Sequence, residues 1–211
     1  MPWYTGKEKV REYLEKVNKN GKVIEYTLFQ PGLSLDYLAT PYQTAKHVAP
    51  LDSVIDYQNR RAIVVDGHED AIMTLTTAAD LAAIVARAVD HEGEWPKIGG
   101  IRGNRLTFSR IIEIGRPFTI ERVKLEDLEA GHLKTSWTLD KRHKAVSEDQ
   151  VASFATMVSI GILLSSVKGA WDASDGLSQL FPDYKFAEIE DFLTKVWDGE
   201  AIIAMLCYVT I

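Results

Sequence analysis

Hydrophobic residues follow two different patterns over the first thirty residues. Apolar residues between positions 5 and 18 recur at helical spacing and form one face of a helix: Val10, Tyr13, Leu14 and Val17. Asn20-Gly21 ends this helix, because glycine readily adopts the left-handed conformation found after helix ends. The near-continuous apolar run over residues 23–30 then predicts a strand covered on both faces. A helix followed by such a strand calls for a parallel neighbouring strand, and none is evident further along the sequence.

The predicted strand stops at Gln30-Pro31-Gly32, since proline cannot donate to a sheet and glycine permits a sharp turn. An aromatic-rich segment, Leu33 to Tyr42, follows. In open α/β sheets, ligands bind just beyond the carboxyl ends of the strands. If the protein has a substrate pocket, residues 30–42 are therefore expected to form one wall of it. The alternative is a core strand followed by an ordinary surface turn.

Beyond residue 50 the pattern predicts further short strands and helices. Strands are expected at 61–65, 71–75 and 118–123, and helices at 78–90, 107–114, 125–130, 147–167 and 186–196. Thr77 is followed three residues later by Asp80, which is typical of a helix start, and Ser147 with Gln150 forms a second such pair. Gly169 and Gly199 are expected to cap the last two helices at their carboxyl ends.

Composition narrows the class of protein. The chain has 211 residues, of which 46% are hydrophobic and 26% charged, as in ordinary globular proteins. Its net charge of −6 disfavours a nucleic-acid partner. The one cysteine, Cys207, excludes a disulfide within the chain, so a reducing, cytoplasmic compartment is expected. The charged first twenty residues do not resemble a signal peptide, and no apolar run reaches the ~20 residues of a membrane helix.

Residue patterns that would support catalysis are sparse. The histidines have neither metal-ligand spacing nor a neighbouring cysteine, so no metal site is expected. The glycines of the segment 99–103 lack the dinucleotide-binding spacing, and Asn104-Arg105 follow instead of a helix start, which predicts a tight turn. Lys7 begins the first helix and could reach a ribose or a carbonyl at the sheet edge. The alternative for Lys7 is a solvated surface lysine.

Several segments, taken in order, resemble one family. The matching segments are Trp3–Lys7, Val10–Leu14, Tyr26–Gly32, Ile72–Thr77 with Asp80–Ala82, Ile98–Asn104, and the stretches 124–131 and 181–197. Together they resemble the fungal NmrA-like and isoflavone-reductase-like proteins, which are atypical short-chain dehydrogenases. The resemblance extends over nearly the whole chain up to about Gly199. It departs at Trp3, which stands where standard short-chain dehydrogenases carry the tyrosine paired with their lysine.

The resemblance implies an α/β fold that is the C-terminal portion of a Rossmann-like NAD(P)-binding fold. Residues 1–50 would be the remnant of its sheet, and residues 51–200 a small α+β substrate region. Residues 201–211 form an apolar tail without a family match. Met1 matches an internal position of the family, so the N-terminal nucleotide-binding half is expected to be missing. The open edge of strand 23–30 would then favour self-association.

The resemblance also implies a function and a set of site residues. Lys7 matches the family's active-site lysine, and Gln30-Pro31-Gly32 match the loop beside the nicotinamide. Leu33, Tyr37 and Tyr42 would line the substrate pocket. An NAD(P)H-dependent reductase of a small metabolite is implied, using NADP or NAD in a full-length form, with no cofactor held tightly by this chain. The alternatives are a non-catalytic redox sensor that binds a protein partner, and a truncated fragment without function. Neither nucleic acid nor a membrane is expected as a partner.

Overall fold

The computed structural model describes residues 5–114, 117–139 and 150–197. The helices of these residues are α1 (Thr5–Val17), α2 (Ala78–Val89), α3 (Phe108–Ile114), α4 (Leu125–Glu129), α5 (Val151–Val167) and α6 (Ile189–Trp197), with 3-10 helices at Leu35–Ala39 and Ser178–Leu180. The strands are β1 (Leu28–Gln30), β2 (Leu33–Ser34), β3 (Ile55–Asp56), β4 (Arg61–Val65), β5 (Ile72–Thr76), β6 (Ile98–Gly100), β7 (Asn104–Thr107) and β8 (Thr119–Val123).

These strands form three small sheets. In the first, β1 pairs with β6 in parallel, with Gln30 opposite Gly100. In the second, β5 lies between β2, which is parallel to it, and β7, which is antiparallel. In the third, β4 lies between β3, which is antiparallel, and β8, which is parallel. Mixed sheets with helices between the strands confirm the predicted α/β class.

The main hydrophobic core gathers around β4 and β5. Ile63 and Leu75 are fully buried, and side chains from α3, α4, α5 and α6 pack against the same cluster. A smaller second cluster joins α2 to the segment after β6 through Ile84, Ala88 and Ile101. The elements predicted at 61–65, 71–75, 78–90, 107–114, 118–123 and 125–130 are therefore confirmed, each with bounds that differ by at most two residues.

The predicted strand at 23–30 is wrong over most of its length. Only Leu28–Gln30 are extended in a ladder, and Val23 is 74% exposed where burial on both faces was expected. The cause is the side chain of Asn18. Its amide oxygen accepts from the backbone N–H groups of Val23 (2.9 Å) and Ile24 (3.0 Å), and its amide nitrogen donates to the Ile24 carbonyl (2.8 Å). These bonds hold the segment against the end of α1 and occupy the groups that a sheet would need.

The expectation that β1 has no downstream parallel partner is also corrected, because its partner β6 lies in the glycine cluster that predicted a tight turn. The glycine at position 100 has a packing reason. A β-carbon there would lie 2.0 Å from the carbonyl oxygen of Ser174, so only glycine lets the two backbones approach. A strand made of Ile98-Gly99-Gly100 carries too few side chains for its pattern to reveal it.

Helix α1 forms as predicted, and its apolar face is only partly covered by the described residues, with Leu14 and Val17 half-buried. Val10 is 58% exposed and Tyr13 66% exposed. The polar side of the helix also contacts the body of the protein, since Lys97 lies 3.0 Å from the Glu15 carboxylate. The pattern therefore predicts the helix correctly.

The two C-terminal helices also match their predictions. Helix α5 begins at Val151, and Gly169 follows it with φ of 69°, as expected of a carboxyl cap. Ser147 and Gly199, like Trp3, Cys207 and the apolar tail, lie outside the described residues. Among the helices that are described, none has the length and apolar character needed to span a membrane.

Candidate functional site

The loop after β1 occupies the position at which ligands bind in open α/β sheets. Because β1 and β6 are parallel, Gln30 and Gly100 lie at the same edge, and the Gln30 carbonyl accepts from the Ile101 N–H at 3.0 Å. Gly32 has φ of 74°, and a β-carbon there would lie 2.1 Å from the Thr74 carbonyl oxygen. The loop therefore lies directly on β5, and its shape requires a glycine at position 32.

The predicted pocket residues occupy three different environments. Leu33 is 7% exposed and pairs with Leu75 of β5, so it is a core residue. Tyr37 is half-buried in the 3-10 helix and packs against the core. Tyr42 places its ring edge-on against Trp197 of α6, with the ring centroids 5.4 Å apart. Lys7 lies exposed in the first two turns of α1.

Asp36 fixes this segment to the start of α2. Its buried carboxylate accepts from the Ser34 hydroxyl (2.9 Å), from the Thr44 hydroxyl (2.6 Å) and from the backbone N–H of Ala78 (2.7 Å). The last bond satisfies one of the free amides at the amino terminus of the helix, where a negative charge is also favoured. The sequence offered no sign of this contact, because its partners lie 42 residues apart.

A second buried carboxylate, Asp80, completes the same helix start. The Asp80 carboxylate accepts from the Thr77 hydroxyl at 2.7 Å, and the backbone N–H of Asp80 donates to the Thr77 hydroxyl at 3.0 Å. These two bonds confirm the predicted pair. The carboxylate also accepts from the Tyr184 hydroxyl at 2.7 Å. Burial and this hydrogen bond raise the pKa of Tyr184 to about 12.

Asn104 attaches the C-terminal segment to β7. Its amide nitrogen donates to the Ala187 carbonyl at 2.8 Å, and its amide oxygen accepts from the Ile189 N–H at 2.9 Å. The second bond caps the start of α6. Asn104 is 7% exposed, so both bonds form away from water and hold α6 in position beside β7.

The starts of α2, α3 and α6 do not fit a dinucleotide pyrophosphate, which is normally held by free amides at a helix amino terminus. At α2 the first amide binds Asp36, and at α6 the first amide binds Asn104. At α3 the Ser109 and Arg110 amides bind the Glu69 carbonyl (2.9 Å) and the Thr107 hydroxyl (3.1 Å). The chain's own acceptors thus take the amides that a pyrophosphate would use.

A cavity of about 580 Å³ lies beside α6 and is open to the protein surface. It is lined by Tyr57, Gln58, Arg60, Arg110, Glu113, Ile114, Phe118, Glu190, Leu193, Thr194 and Trp197. Its volume lies in the range that holds small organic ligands. We refer to it as the aromatic cavity, since three of its lining residues are aromatic.

Hydrogen bonds, a ring contact and ion pairs hold the residues that line the aromatic cavity in place. The Tyr57 hydroxyl donates to the Ile111 carbonyl, and the Phe118 ring meets the Tyr57 ring edge-on with centroids 5.1 Å apart. Burial raises the pKa of Tyr57 above its usual range, so this hydroxyl stays protonated. The Arg110 guanidinium lies 2.7 Å from the Glu190 carboxylate and 3.6 Å from that of Glu113.

The aromatic cavity lies next to the predicted pocket segment, residues 30–42, but is not formed by it. None of residues 30–42 is among those that line the cavity. Tyr42 lies against Trp197, and Tyr37 lines a space of about 10 Å³ together with Tyr57. Sequence analysis missed the cavity because its residues come from four separate segments. The turn residue Asn59 between two short apolar stretches is the one local sign of the hairpin that forms its rim.

Comparison with known proteins gives a limited set of relatives. No family model matches the chain. It is similar to the protein named oxidoreductase swnN of Arthroderma benhamiae, with 23% identity over 204 residues, covering 83% of this chain and 62% of the relative. It is also similar to the protein of the same name from Metarhizium robertsii, with 24% identity over 179 residues, covering 82% of this chain and 52% of the relative. The chain therefore spans little more than half the length of the curated relatives it matches.

Proposed function

We propose that this chain is the substrate-side part of an NAD(P)H-dependent oxidoreductase of the NmrA-like type, which reduces a small metabolite. The observation that carries the proposal is the similarity to two fungal proteins named as oxidoreductases, over 83% and 82% of the chain. The parallel pairing of β1 with β6 supports it, because it places the loop at residues 30–32 at the carboxyl edge of a parallel sheet.

The proposed cofactor-facing residues are Lys7, Gln30, Pro31 and Gly32. Gly32 supports this role, since its close approach to Thr74 fixes the loop in one conformation. Tyr37 and Tyr42 are the proposed substrate-facing residues, with Leu33 anchoring the segment in the core. The chain's own acceptors bind the first amides of α2, α3 and α6, so we expect this chain alone to bind NADPH weakly. Titration of the chain with NADPH, followed by nucleotide fluorescence, checks this, and saturable micromolar binding would contradict it.

A chimera tests the proposed activity. The part of a swnN relative that precedes its match to this chain is fused to residue 1, and NADPH oxidation is followed with a panel of small aldehydes and ketones. We expect NADPH to bind and to be consumed with at least one carbonyl compound. A folded chimera that binds NADPH but reduces none of the panel would favour the redox-sensor alternative. A folded chimera that binds no NADPH would contradict both.

Matched lysine variants of the chimera test the site. Lys7→Ala is expected to lower kcat/KM on the order of a hundredfold, the size of effect that a lost positioning contact has. Lys9→Ala and Lys16→Ala on the same helix are expected to leave kcat/KM unchanged, because Lys7 alone of the three matches the family's active-site lysine. Equal effects from all three variants would make Lys7 an ordinary surface residue.

A further inference from the structure

The rim of the aromatic cavity is the four-residue hairpin loop between β3 and β4. Asp56 pairs with Arg61 across the hairpin, which leaves residues 57–60 as the loop. The Asp56 carboxylate holds the loop closed, since it accepts from the Asn59 backbone N–H at 3.0 Å and from the Asn59 side chain at 2.8 Å. The loop is therefore held by hydrogen bonds between Asp56 and Asn59, which do not involve the side chain at position 60.

Arg60 occupies the strained position of this loop. Its φ is 51°, the one positive value at a non-glycine residue in the described part of the chain. Glycine and asparagine adopt this left-handed conformation readily, whereas arginine pays a steric cost because of its β-carbon. Strain of this kind is found most often where a side chain has a task in a binding site.

Among the described residues that line the cavity, Arg60 is the cation without an ion-pair partner. Arg110 is paired with Glu190 and Glu113, and the neighbouring Arg61 is paired with Asp56 at 2.8 Å. Among the described residues, no carboxylate forms an ion pair with Arg60. Arg60 lines the cavity together with three aromatic residues. An open guanidinium fork fits a carboxylate through two parallel hydrogen bonds.

We propose that the aromatic cavity binds a small aromatic carboxylate, with Arg60 pairing with the carboxylate and the ring packing among Tyr57, Phe118 and Trp197. Rings in such a pocket gain from edge-to-face contacts as well as from burial. A single negative charge is specified, because the carboxylates of Glu113 and Glu190 line the same cavity and repel a second one. This site is separate from the loop at residues 30–32, and the proposal does not rest on the proposed reductase activity.

Three matched probes test the ligand class by isothermal titration calorimetry on the whole chain. They are 2-naphthoate, its neutral amide 2-naphthamide and the dianion 2-naphthyl phosphate. We expect 2-naphthoate to bind saturably and each of the other two to bind at least about tenfold more weakly, the loss that goes with one charged hydrogen bond. Absence of saturable 2-naphthoate binding, or equal binding of the amide, would overturn the proposal.

Variants at position 60 separate binding from stability. Arg60→Gly and Arg60→Asn remove the guanidinium and relieve the backbone strain, so the Tm should stay the same or rise while 2-naphthoate affinity falls at least about tenfold. Arg122→Ala is the control, since it removes the same charge from an exposed site outside the cavity. Retained affinity in both folded Arg60 variants, or an equal loss in Arg122→Ala, would show that Arg60 does not bind the ligand.

Discussion

Two regions of the molecule are rich in apolar side chains but lie in opposite environments. One is the core around β4 and β5, and the other is the flank formed by α1 with residues 23–29. Ala62 to Val65 of β4 are all buried, because β3 and β8 lie on its two sides and α5 packs against it. None of the residues of α1 is buried, and Val23 and Ile24 are exposed as well. The comparison shows that apolar periodicity specifies the kind of element, whereas burial depends on whether neighbouring elements cover it.

The largest effect should come from the core side of the comparison. Ile63→Ala is expected to lower the free energy of unfolding by about 2–5 kcal/mol, because it leaves a cavity in a fully buried position. Val10→Ala on α1 is the matched flank variant and should change the free energy of unfolding by less than about 0.5 kcal/mol. Urea unfolding followed by tryptophan fluorescence measures both. Similar losses for the two variants would show that α1 is covered in solution.

A glycine pair isolates the effect of close packing beside β5. Gly32 and Gly67 have the same φ of 74°, but a β-carbon meets the Thr74 carbonyl at 2.1 Å in the first case and nothing within 4 Å in the second. Gly67→Ala should therefore cost only the backbone strain, about 1 kcal/mol. Gly32→Ala should cost about 1–3 kcal/mol more, because the loop has to move away from β5. Equal losses in thermal unfolding would contradict the close approach.

Alkaline pH should weaken the contact between α2 and the C-terminal segment. The pKa of Tyr184 is raised from 10.0 to about 12 in the folded protein, mainly by burial and then by the bond to Asp80. A raised pKa favours the protonated folded state, so its contribution is complete below pH 10 and is lost as pH rises toward 12. Unfolding midpoints measured between pH 9 and 12 should fall less steeply for Tyr184→Phe. Parallel curves for both proteins would remove this residue as the cause.

Substitutions on the exposed flank should have the smallest effect on stability. The property expected to depend on the flank is association between copies of the chain. Val10→Ser with Tyr13→Ser should alter the free energy of unfolding by less than about 0.5 kcal/mol. We expect the unmodified chain to self-associate through the flank, since exposed apolar surface and an open strand edge favour contact between copies. Size-exclusion chromatography with light scattering decides this, and a monomer that persists at high concentration would contradict it.

Local signals predicted most of the elements but not the contacts between them. Thr77 with Asp80 marked the start of α2, and the apolar residues at 61–65 marked a buried strand, because these signals depend on neighbours in the sequence. Asp36 gave no such sign, since its partner Ala78 lies far along the chain. Strand β6 was missed because its Gly100 is required by the approach of Ser174, which only the folded chain shows.

The candidate site was predictable only at the loop of residues 30–32. Its chemistry is local, and β1 ends at Gln30, where Gln30-Pro31-Gly32 predicted the end of a strand. The aromatic cavity was not predictable, because the ring of Phe118, the guanidinium of Arg60 and the indole of Trp197 converge from distant segments. Which cations remain unmatched is likewise a property of the folded arrangement.

The two hydrogen bonds of Asn104 to the segment that begins α6 have a consequence for the movement of one wall of the aromatic cavity. Leu193 and Trp197 of α6 form one wall of this cavity, and Leu193 is also buried in the main core. Withdrawal of that wall therefore requires the Asn104 bonds and the core contacts of α6 to break together, as one cooperative unit of local unfolding. Exchange of the α6 amides with deuterated solvent would then report the movement of this wall.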